Sequence, residues 1–184
     1  GITGASGVIY GIRLLEVLST KNGIETHLII SGTGEKVIRN EIDYKLEDIK
    51  SLANFRYDIH DIGARLASGS FQRDGMIVAP CTIKTMSALA NSYTENLVVR
   101  AGDVVLKDRK KLVLLVRETP LHLGHIRNMV SLTEMGAIIM PPVPAFYHKP
   151  KTIEDIIDHT VGKVLDLFGI EHDLFQRWSE LPKE

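Results

Sequence analysis

The amino-acid sequence predicts an α/β fold in which a mainly parallel sheet carries helices on both faces. Apolar segments of strand length alternate along the chain with segments of helical periodicity. Two of the strand candidates, GMIVAP (75–80) and KLVLLV (111–116), are continuous apolar runs, which is typical of strands buried on both faces. Glycine- and hydroxyl-rich turns follow several strands, and in a parallel sheet such turns lie at the edge where ligands bind.

The elements follow one another in a regular order after the first glycine turn. Ile9, Ile12, Leu15 and Leu18 recur at helical spacing and predict the first helix. The proline-rich run 141–150 can form neither a helix nor a central strand. Strands are predicted at 26–31, 75–80, 111–116 and 137–140, and further helices at 33–41, 46–54, 83–91, 95–107, 125–136 and 153–168.

Length, charge and cysteine content limit the possible classes of protein. The 184 residues fit a single domain, which we place at 1–184. A net charge of −1 argues against a nucleic-acid or anionic-membrane partner, and no apolar run approaches the roughly 18 residues of a membrane span. The single cysteine, Cys81, excludes an internal disulfide and, with no visible signal peptide, favours the cytoplasm. Because only residues 1–3 precede the glycine turn, we expect part of the N-terminal strand to be missing.

The first glycine turn, TGASG (3–7), joins this strand remnant to a helix. Gly4 and Gly7 let the backbone approach a ligand, the helix start offers N–H groups to an anion, and Ser6 adds a hydroxyl. The spacing is not G-x-G-x-x-G, so a nicotinamide dinucleotide is less favoured and mononucleotides stay open. A tight strand–helix turn with a serine cap also accounts for the motif.

Three further turns share this character: SGTGE (31–35), ASGS (67–70) and PCTIKT (80–85). In the last of them, Thr82 and Thr85 stand at a predicted helix start. Each turn alone is more typical of a helix cap than of a ligand site. Several such turns at one edge of a sheet favour a bound phosphorylated cofactor.

Charged residues supply two more candidate groups. Arg117 and Glu118 follow the strand KLVLLV at the ligand edge, where an arginine can bind phosphate or flavin oxygens and a carboxylate can move protons. A surface ion pair is the plain alternative. Arg100 and Lys107 are seven residues apart and share one helix face, which by itself indicates only a solvated surface.

Other polar motifs are better explained by structural roles than by catalysis or metal binding. His122 and His125 form H-x-x-H without an evident third ligand, so we predict no metal site. EDIID (154–158) faintly resembles the acidic magnesium motif of prenyl pyrophosphate enzymes, but it fits a helix start better. Cys81 would need a base to act as a nucleophile, and a small apolar filler is the better interpretation. Spacing alone does not select Tyr147 in the proline-rich loop.

Taken together, the motifs resemble the UbiX-type flavin prenyltransferases (the UbiX/Pad family), formerly described as small subunits of aromatic-acid decarboxylases. The resemblance covers nearly the whole chain and is most specific from Arg100 to Pro150. It implies a flavodoxin-like (Rossmann-like) three-layer sandwich and a dodecamer with sites at subunit interfaces. The segments that carry it are TGASG, SGS, PCTIKT, RAGDVVLKDRKKLVLLVRETPLHLGH and GAIIMPPVPAFYHKP.

The resemblance also implies a reaction. It implies reduced FMN as a bound substrate and dimethylallyl monophosphate as the prenyl donor, with no metal. The implied product is prenylated FMN, with a fourth ring closed across N5 and C6 of the isoalloxazine. That product would serve a UbiD-type decarboxylase as its cofactor, in ubiquinone synthesis or in aromatic-acid breakdown, and the sequence does not distinguish these pathways.

Site residues are implied position by position. Catalytic roles are implied for Ser6, Glu41, Lys107 and Glu118. Contacts with FMN are implied for Gly4, Ala5, Ser6, Gly7, Ser31, Thr82, Ile83, Lys84, Thr85 and Arg117. Positions around the prenyl phosphate are implied for Arg100, Lys107, Glu118, Tyr147 and Lys163, with Trp178 as a C-terminal aromatic near the site. Lys163 stands where some relatives carry arginine, so that a point charge replaces a fork of donors.

Two alternatives of other kinds stay open. An FMN-dependent decarboxylase of peptidyl-cysteine or phosphopantothenoylcysteine type would share the fold but use a catalytic histidine after the first helix, whereas His27 lies in a predicted strand. A non-catalytic flavin carrier would need no Lys107, Tyr147 or Lys163. Addition of a five-carbon unit to the flavin would separate the transferase from both alternatives.

Overall fold

A computed structural model of the chain describes residues 1–177. The described strands are β1 (His27–Ile29), β2 (Phe55–Tyr57), β3 (Gly75–Cys81), β4 (Lys111–Val116) and β5 (Ile138–Ile139). The helices are α1 (Val8–Ser19), α2 (Gly32–Glu41), α3 (Leu46–Ser51), α4 (Ile83–Ala90), α5 (Leu97–Lys107), α6 (Leu123–Glu134) and α7 (Ile153–Phe168), with a short 3-10 turn at Arg65–Ala67. Within residues 1–177, no helix combines the length and apolar character that crossing a membrane requires.

All strand pairs in the described part of the chain are parallel. β1 pairs with β2, and β4 pairs with β3 on one side and with β5 on the other. Residues 1–3 connect the two groups of strands, because the N–H of Ile2 donates to the oxygen of Ile29 at 2.9 Å and the N–H of Ala79 donates to the oxygen of Gly1 at 2.9 Å. The carboxyl ends of β1, β3 and β4 therefore lie at one edge, as the alternating pattern predicts.

Apolar burial fixes the position of this edge. The apolar residues of β4 from Leu112 to Val116 are almost fully buried. Leu112, Leu114 and Val116 belong to one apolar cluster with Val78 of β3 and Met86 of α4. A second cluster includes Ile12 of α1 and Leu28 of β1. Burying one such side chain is worth about 1.5–3 kcal/mol, so these clusters hold the strand ends in place.

The chain divides into two compact units, Gly1–Pro141 and Pro142–Glu184. In the second unit, α7 begins at a capping box formed by Thr152 and Asp155 and ends at Gly169, whose φ of 67° suits glycine. Val161 and Val164 are fully buried within it. The single domain at 1–184 stays a prediction.

The observed elements match the sequence pattern closely, with a few differences at the ends. β2 is missing from the predicted elements, since three residues, of which none is fully buried, give too short a pattern. The predicted helix 46–54 ends at Ser51, and the predicted strand 137–140 pairs only at Ile138 and Ile139. α6 begins two residues early because His122 caps it.

Candidate functional site

The first glycine turn is tied directly to the turn that follows β3. Thr3, which is buried, donates its hydroxyl to the carbonyl oxygen of Pro80 at 2.7 Å and accepts the N–H of Thr82 at 2.9 Å. One threonine side chain therefore positions both TGASG and PCTIKT. The structure brings these two predicted turns together at the sheet edge.

The turn that follows β1 packs against the same place. A Cβ built on Gly4 would lie 2.4 Å from the Cβ of Thr33, and one built on Gly34 would lie 2.8 Å from the carbonyl oxygen of Ile2. Only glycine allows the two backbones to come this close. Three of the four predicted glycine- and hydroxyl-rich turns thus form one contiguous surface, which we call the turn cluster (residues 3–7, 31–35 and 80–85).

Gly7 and Glu41 meet at the start of α1. Gly7 has φ 91° and precedes the first helical residue, and its N–H donates to Glu41 Oε2 at 2.9 Å. A carboxylate is stabilised at this place because a helix N-terminus carries partial positive charge. Ser6, the other half of the predicted catalytic pair, is the exposed neighbour of Gly7.

The predicted hydroxyl ligands also serve as helix caps. Ser31 Oγ accepts the N–H of Gly34 at 2.9 Å, and Thr82 Oγ1 accepts the N–H of Thr85 at 3.1 Å. Thr82 Oγ1 also donates to Thr85 Oγ1 at 3.0 Å. The capping interpretation is therefore correct for both residues, and it fixes their oxygens beside the glycine turn.

The end of β4 lies next to the turn cluster. The backbone N–H of Arg117 donates to the oxygen of Cys81 at 3.1 Å, while the side chains of Arg117 and Glu118 are exposed. Lys84 is directed to solvent and pairs with Glu95 at 2.9 Å. Burial raises the pKa of the Cys81 thiol to about 12, which keeps it protonated and supports its interpretation as a filler.

The two cations of α5 are held by neighbouring carboxylates and by one loop. Arg100 pairs with Asp103 at 3.1 Å, and its Nε donates to the carbonyl oxygen of Ala67 at 3.2 Å. Lys107 Nζ lies 3.3 Å from Asp108 Oδ1. Both cations are on the helix face that the seven-residue spacing predicts.

Residues 142–177 hold the remaining described candidates. The Tyr147 hydroxyl lies 2.8 Å from Nε2 of His159, which is buried and stacks on His148 with ring centroids 4.7 Å apart. Lys163 lies 3.8 Å from Asp166. Trp178 lies outside the described residues.

The histidine pair before α6 has a structural role. His122 Nδ1 accepts the N–H of Gly124 at 3.0 Å, and the rings of His122 and His125 are 3.6 Å apart. Together they form the capping box of α6. In the described part of the chain, no group of three or more His, Cys, Asp or Glu side chains has a metal-binding arrangement.

Comparison with known proteins decides the family. A model of the Flavoprotein family matches residues 1–165. A protein from Thauera aromatica named flavin prenyltransferase UbiX is 57% identical over 179 residues, which are 97% of this chain and 92% of the relative. The chain belongs to the UbiX flavin prenyltransferases.

Two solved structures support the fold assignment. One, a crystal structure of AnUbiX in complex with FMN and dimethylallyl pyrophosphate, superposes with a TM-score of 0.94 at 44% identity and covers 98% of this chain and 96% of its own. The other, a dodecameric FMN-dependent UbiX-like decarboxylase from Escherichia coli O157:H7, has a TM-score of 0.96 at 45% identity and covers 98% and 97%. The predicted flavodoxin-like α/β fold is confirmed.

Several positioning residues escape the sequence analysis. Thr3, Asp103 and His159 each hold a predicted site residue or turn, but their partners are distant in sequence or lie on the same helix. The one sequence signal for these roles is the hydroxyl-bearing residue Thr3 at the start of T-G-A-S-G.

Proposed function

We propose that this chain transfers the dimethylallyl group of dimethylallyl monophosphate to N5 and C6 of reduced FMN. The prenylated FMN that results would serve a UbiD-type decarboxylase. The identity of 57% to a flavin prenyltransferase over 97% of the chain carries this proposal. The alternatives of a cysteine decarboxylase and of a flavin carrier are not favoured, because they do not account for that similarity.

The turn cluster fits the phosphate and ribityl portion of FMN. Gly4 and Gly7 place no side chain in this turn, and α1 directs its N-terminal N–H groups to the same place. The helix caps already orient the hydroxyl oxygens of Ser31 and Thr82, and the Thr85 hydroxyl is positioned by the hydrogen bond that it accepts from Thr82. Such a set of neutral donors suits a phosphate monoester. Ala5, Ser6, Ile83, Lys84 and Arg117 complete the proposed FMN-binding set.

Arg100 and Lys107 would bind the phosphate of the prenyl donor. Cleavage of an allylic C–O bond leaves both bonding electrons on the phosphate, and fixed cations stabilise that charge as it develops. When bound, reduced FMN supplies the nucleophile for the prenyl carbon. The family resemblance assigns Glu118, Tyr147, Lys163 and Trp178 to the same proposed set. We expect ligands from more than one subunit, in a dodecamer such as that of the E. coli relative.

Glu41 and Ser6 would move protons during ring closure. Closing the ring at C6 would require a proton to be added to the prenyl double bond and a proton to be lost from C6, and a carboxylate with an adjacent hydroxyl can donate and accept these protons. Glu41 is already fixed by the N–H of Gly7, so its carboxylate has a defined position at the turn cluster. The phosphate released from the prenyl donor would be the final proton acceptor. The cytoplasmic location and the UbiD-type partner belong to this proposal as well.

One anaerobic incubation tests the reaction. Reduced FMN and dimethylallyl monophosphate are mixed with the protein, and the flavin is analysed by mass spectrometry for one added five-carbon unit. We expect that addition with reduced FMN and none with oxidised FMN. Parallel reactions with dimethylallyl pyrophosphate show which donor is used, because the relative's structure contains the pyrophosphate. Unchanged flavin in every reduced reaction would refute the transferase proposal.

A further inference from the structure

One loop of the first unit touches both cations of α5. This loop, residues 66–71, includes the SGS motif. Its Ala67 carbonyl accepts a hydrogen bond from Nε of Arg100, and a Cβ on Gly69 would lie 2.7 Å from Nζ of Lys107. The backbone of the loop is thus packed directly against the ammonium group. A shift of the loop would therefore change the surroundings of both positive charges.

Arg73 holds this loop by its backbone. Its NH1 donates to the carbonyl oxygen of Leu66 at 2.8 Å, its NH2 donates to that of Ser68, and its Nε donates to that of Phe71 at 3.2 Å. Three carbonyl groups that span the loop therefore converge on one planar cation. Hydrogen bonds from a charged donor are about twice as strong as neutral ones, and the rigid fork of a guanidinium fixes the directions of its partners.

The surroundings keep Arg73 engaged with the loop. The side chain is half-buried and lies over the Phe71 ring, with 5.3 Å between the guanidinium carbon and the ring centroid. Burial lowers the pKa of Arg73, and the Asp108 carboxylate raises it. Asp108 also lies 3.3 Å from Lys107, so one carboxylate is shared by the loop-holding arginine and the proposed phosphate ligand.

We propose that Arg73 is a positioning residue for the prenyl-phosphate side of the site. It fixes residues 66–71, and through Ala67 and Gly69 it sets the places of Arg100 and Lys107. Its hydrogen bonds go to the loop carbonyls, so it does not serve as a phosphate ligand itself. The inference rests on the proposed function, because it assumes that these two cations bind the donor.

The test compares Arg73→Gln and Arg73→Lys with the parent chain. Binding of dimethylallyl monophosphate is measured by calorimetry on the complex with oxidised FMN, where no turnover is expected, and flavin binding is measured separately. We expect Arg73→Gln to raise the Kd of the donor about tenfold, which corresponds to ~1.4 kcal/mol, and to change the Kd of FMN less than about twofold. Arg73→Lys should recover part of the loss, because an ammonium keeps the charge but not the fork.

Hydrogen exchange gives a second, non-catalytic measurement on the FMN complex. Arg73→Gln should speed exchange of the backbone amides of residues 66–71 while those of β3 and β4 stay protected. Arg56→Gln, a change at an exposed arginine of β2, is the matched control and should alter neither donor binding nor loop exchange.

The outcomes separate this inference from the proposed function. An unchanged donor Kd in Arg73→Gln would overturn the inference, and so would equal losses of FMN and donor binding, which would indicate a general scaffold role. If Arg73→Gln does not fold, Arg73→Lys decides on the same criteria. Absence of prenylated flavin with the parent chain would refute the proposed function instead. The binding and exchange results would still test whether Arg73 fixes the loop of residues 66–71.

Discussion

The turn cluster and the side-chain network of residues 142–177 hold their candidate ligands in different ways. In the turn cluster, neutral hydroxyls bond to backbone groups: Thr3 to Pro80 and Thr82, and Ser31 to Gly34. In the second unit, titratable side chains bond to one another. Tyr147 lies 2.8 Å from His159, while Lys163 lies 3.8 Å from Asp166, which is bound more closely by Arg177 at 2.7 Å.

This difference determines how each region should respond to change. These backbone partners are fixed by the sheet, and hydroxyl groups do not titrate over the physiological range, so we expect the hydroxyl bonds of the turn cluster not to depend on pH. Long side chains lose rotamer entropy when they pair, and their charges depend on neighbouring groups. We therefore expect that a larger side chain in the turn cluster sharply lowers stability and FMN binding. Substitutions in the second unit should have smaller, graded effects.

The largest effect should come from Gly4→Ala. The new Cβ would lie 2.4 Å from both Cβ and Oγ1 of Thr33 and 3.1 Å from its carbonyl carbon, so backbone has to move. We expect a loss of about 3 kcal/mol in the free energy of unfolding and a rise of more than about 100-fold in the Kd of FMN. Denaturant unfolding and flavin fluorescence titration measure the two.

Gly63→Ala is the matched control for that variant. A Cβ on Gly63 would meet only Asp61 Oδ1, at an ordinary contact distance of 3.5 Å. Stability and FMN binding should stay as in the parent chain. Near-parental flavin binding by Gly4→Ala would show that the turn cluster is more adaptable than its short distances indicate.

The next largest effect should come from Glu41→Gln. The amide oxygen can still accept the N–H of Gly7, but it cannot take up a proton. We expect kcat to fall about 100-fold with little change in the Kd of FMN, since general acid–base groups contribute about that much. Glu41→Ala, which also removes the hydrogen bond, should in addition weaken FMN binding. Equal kcat values for Glu41→Gln and the parent chain would exclude proton transfer by Glu41.

How well the sequence predicts each region follows from the same difference. Thr82 and Ser31 bond three residues away along a helix start, so their roles follow from local pattern, as do the apolar strands β3 and β4. Tyr147 pairs with His159 twelve residues away across a loop, and no periodicity encodes that contact. The family resemblance, and not spacing, selected Tyr147 and Lys163.

β2 shows the same limit within the fold. Its three residues, Phe55–Tyr57, are only partly buried and become a strand through pairing with β1. A local pattern of that length carries too little signal, because pairing is a tertiary property. The loop held by Arg73 is a further case, since its shape depends on carbonyl contacts that no side-chain pattern predicts.

A smaller effect is expected for Lys163→Met. Its side chain is half-exposed and its ion pair with Asp166 is long, so the substitution should leave the fold intact. We expect a rise of about tenfold in the KM for dimethylallyl monophosphate with unchanged FMN binding, as for the loss of one phosphate contact. Lys163→Arg should keep the parental KM within about threefold. Lys151→Met, at an exposed lysine before α7, is the control and should change neither value.

The smallest effect concerns pH and His159. Burial lowers the pKa of His159, with further lowering by the charges of His148 and Lys163. As the pH falls, His159 binds a proton first in the unfolded chain, where its pKa is near 6.5. The free energy of unfolding should therefore be highest above about pH 6.5 and should decrease as the pH drops through the folded pKa. A single group contributes at most about 1.4 kcal/mol per pH unit to the slope of the free energy of unfolding against pH. Denaturant unfolding between about pH 7.5 and pH 5.5 measures it.

His159→Gln should flatten that slope, since an amide does not titrate yet can still bond the Tyr147 hydroxyl. The Asp166 carboxyl does not interfere, because its hydrogen bond with Arg177 lowers its pKa to about 2, well below the range measured. If His159→Gln keeps the full slope, the pH response belongs to groups other than His159. The Tyr147–His159 contact would then be as independent of pH as the hydroxyl bonds of the turn cluster.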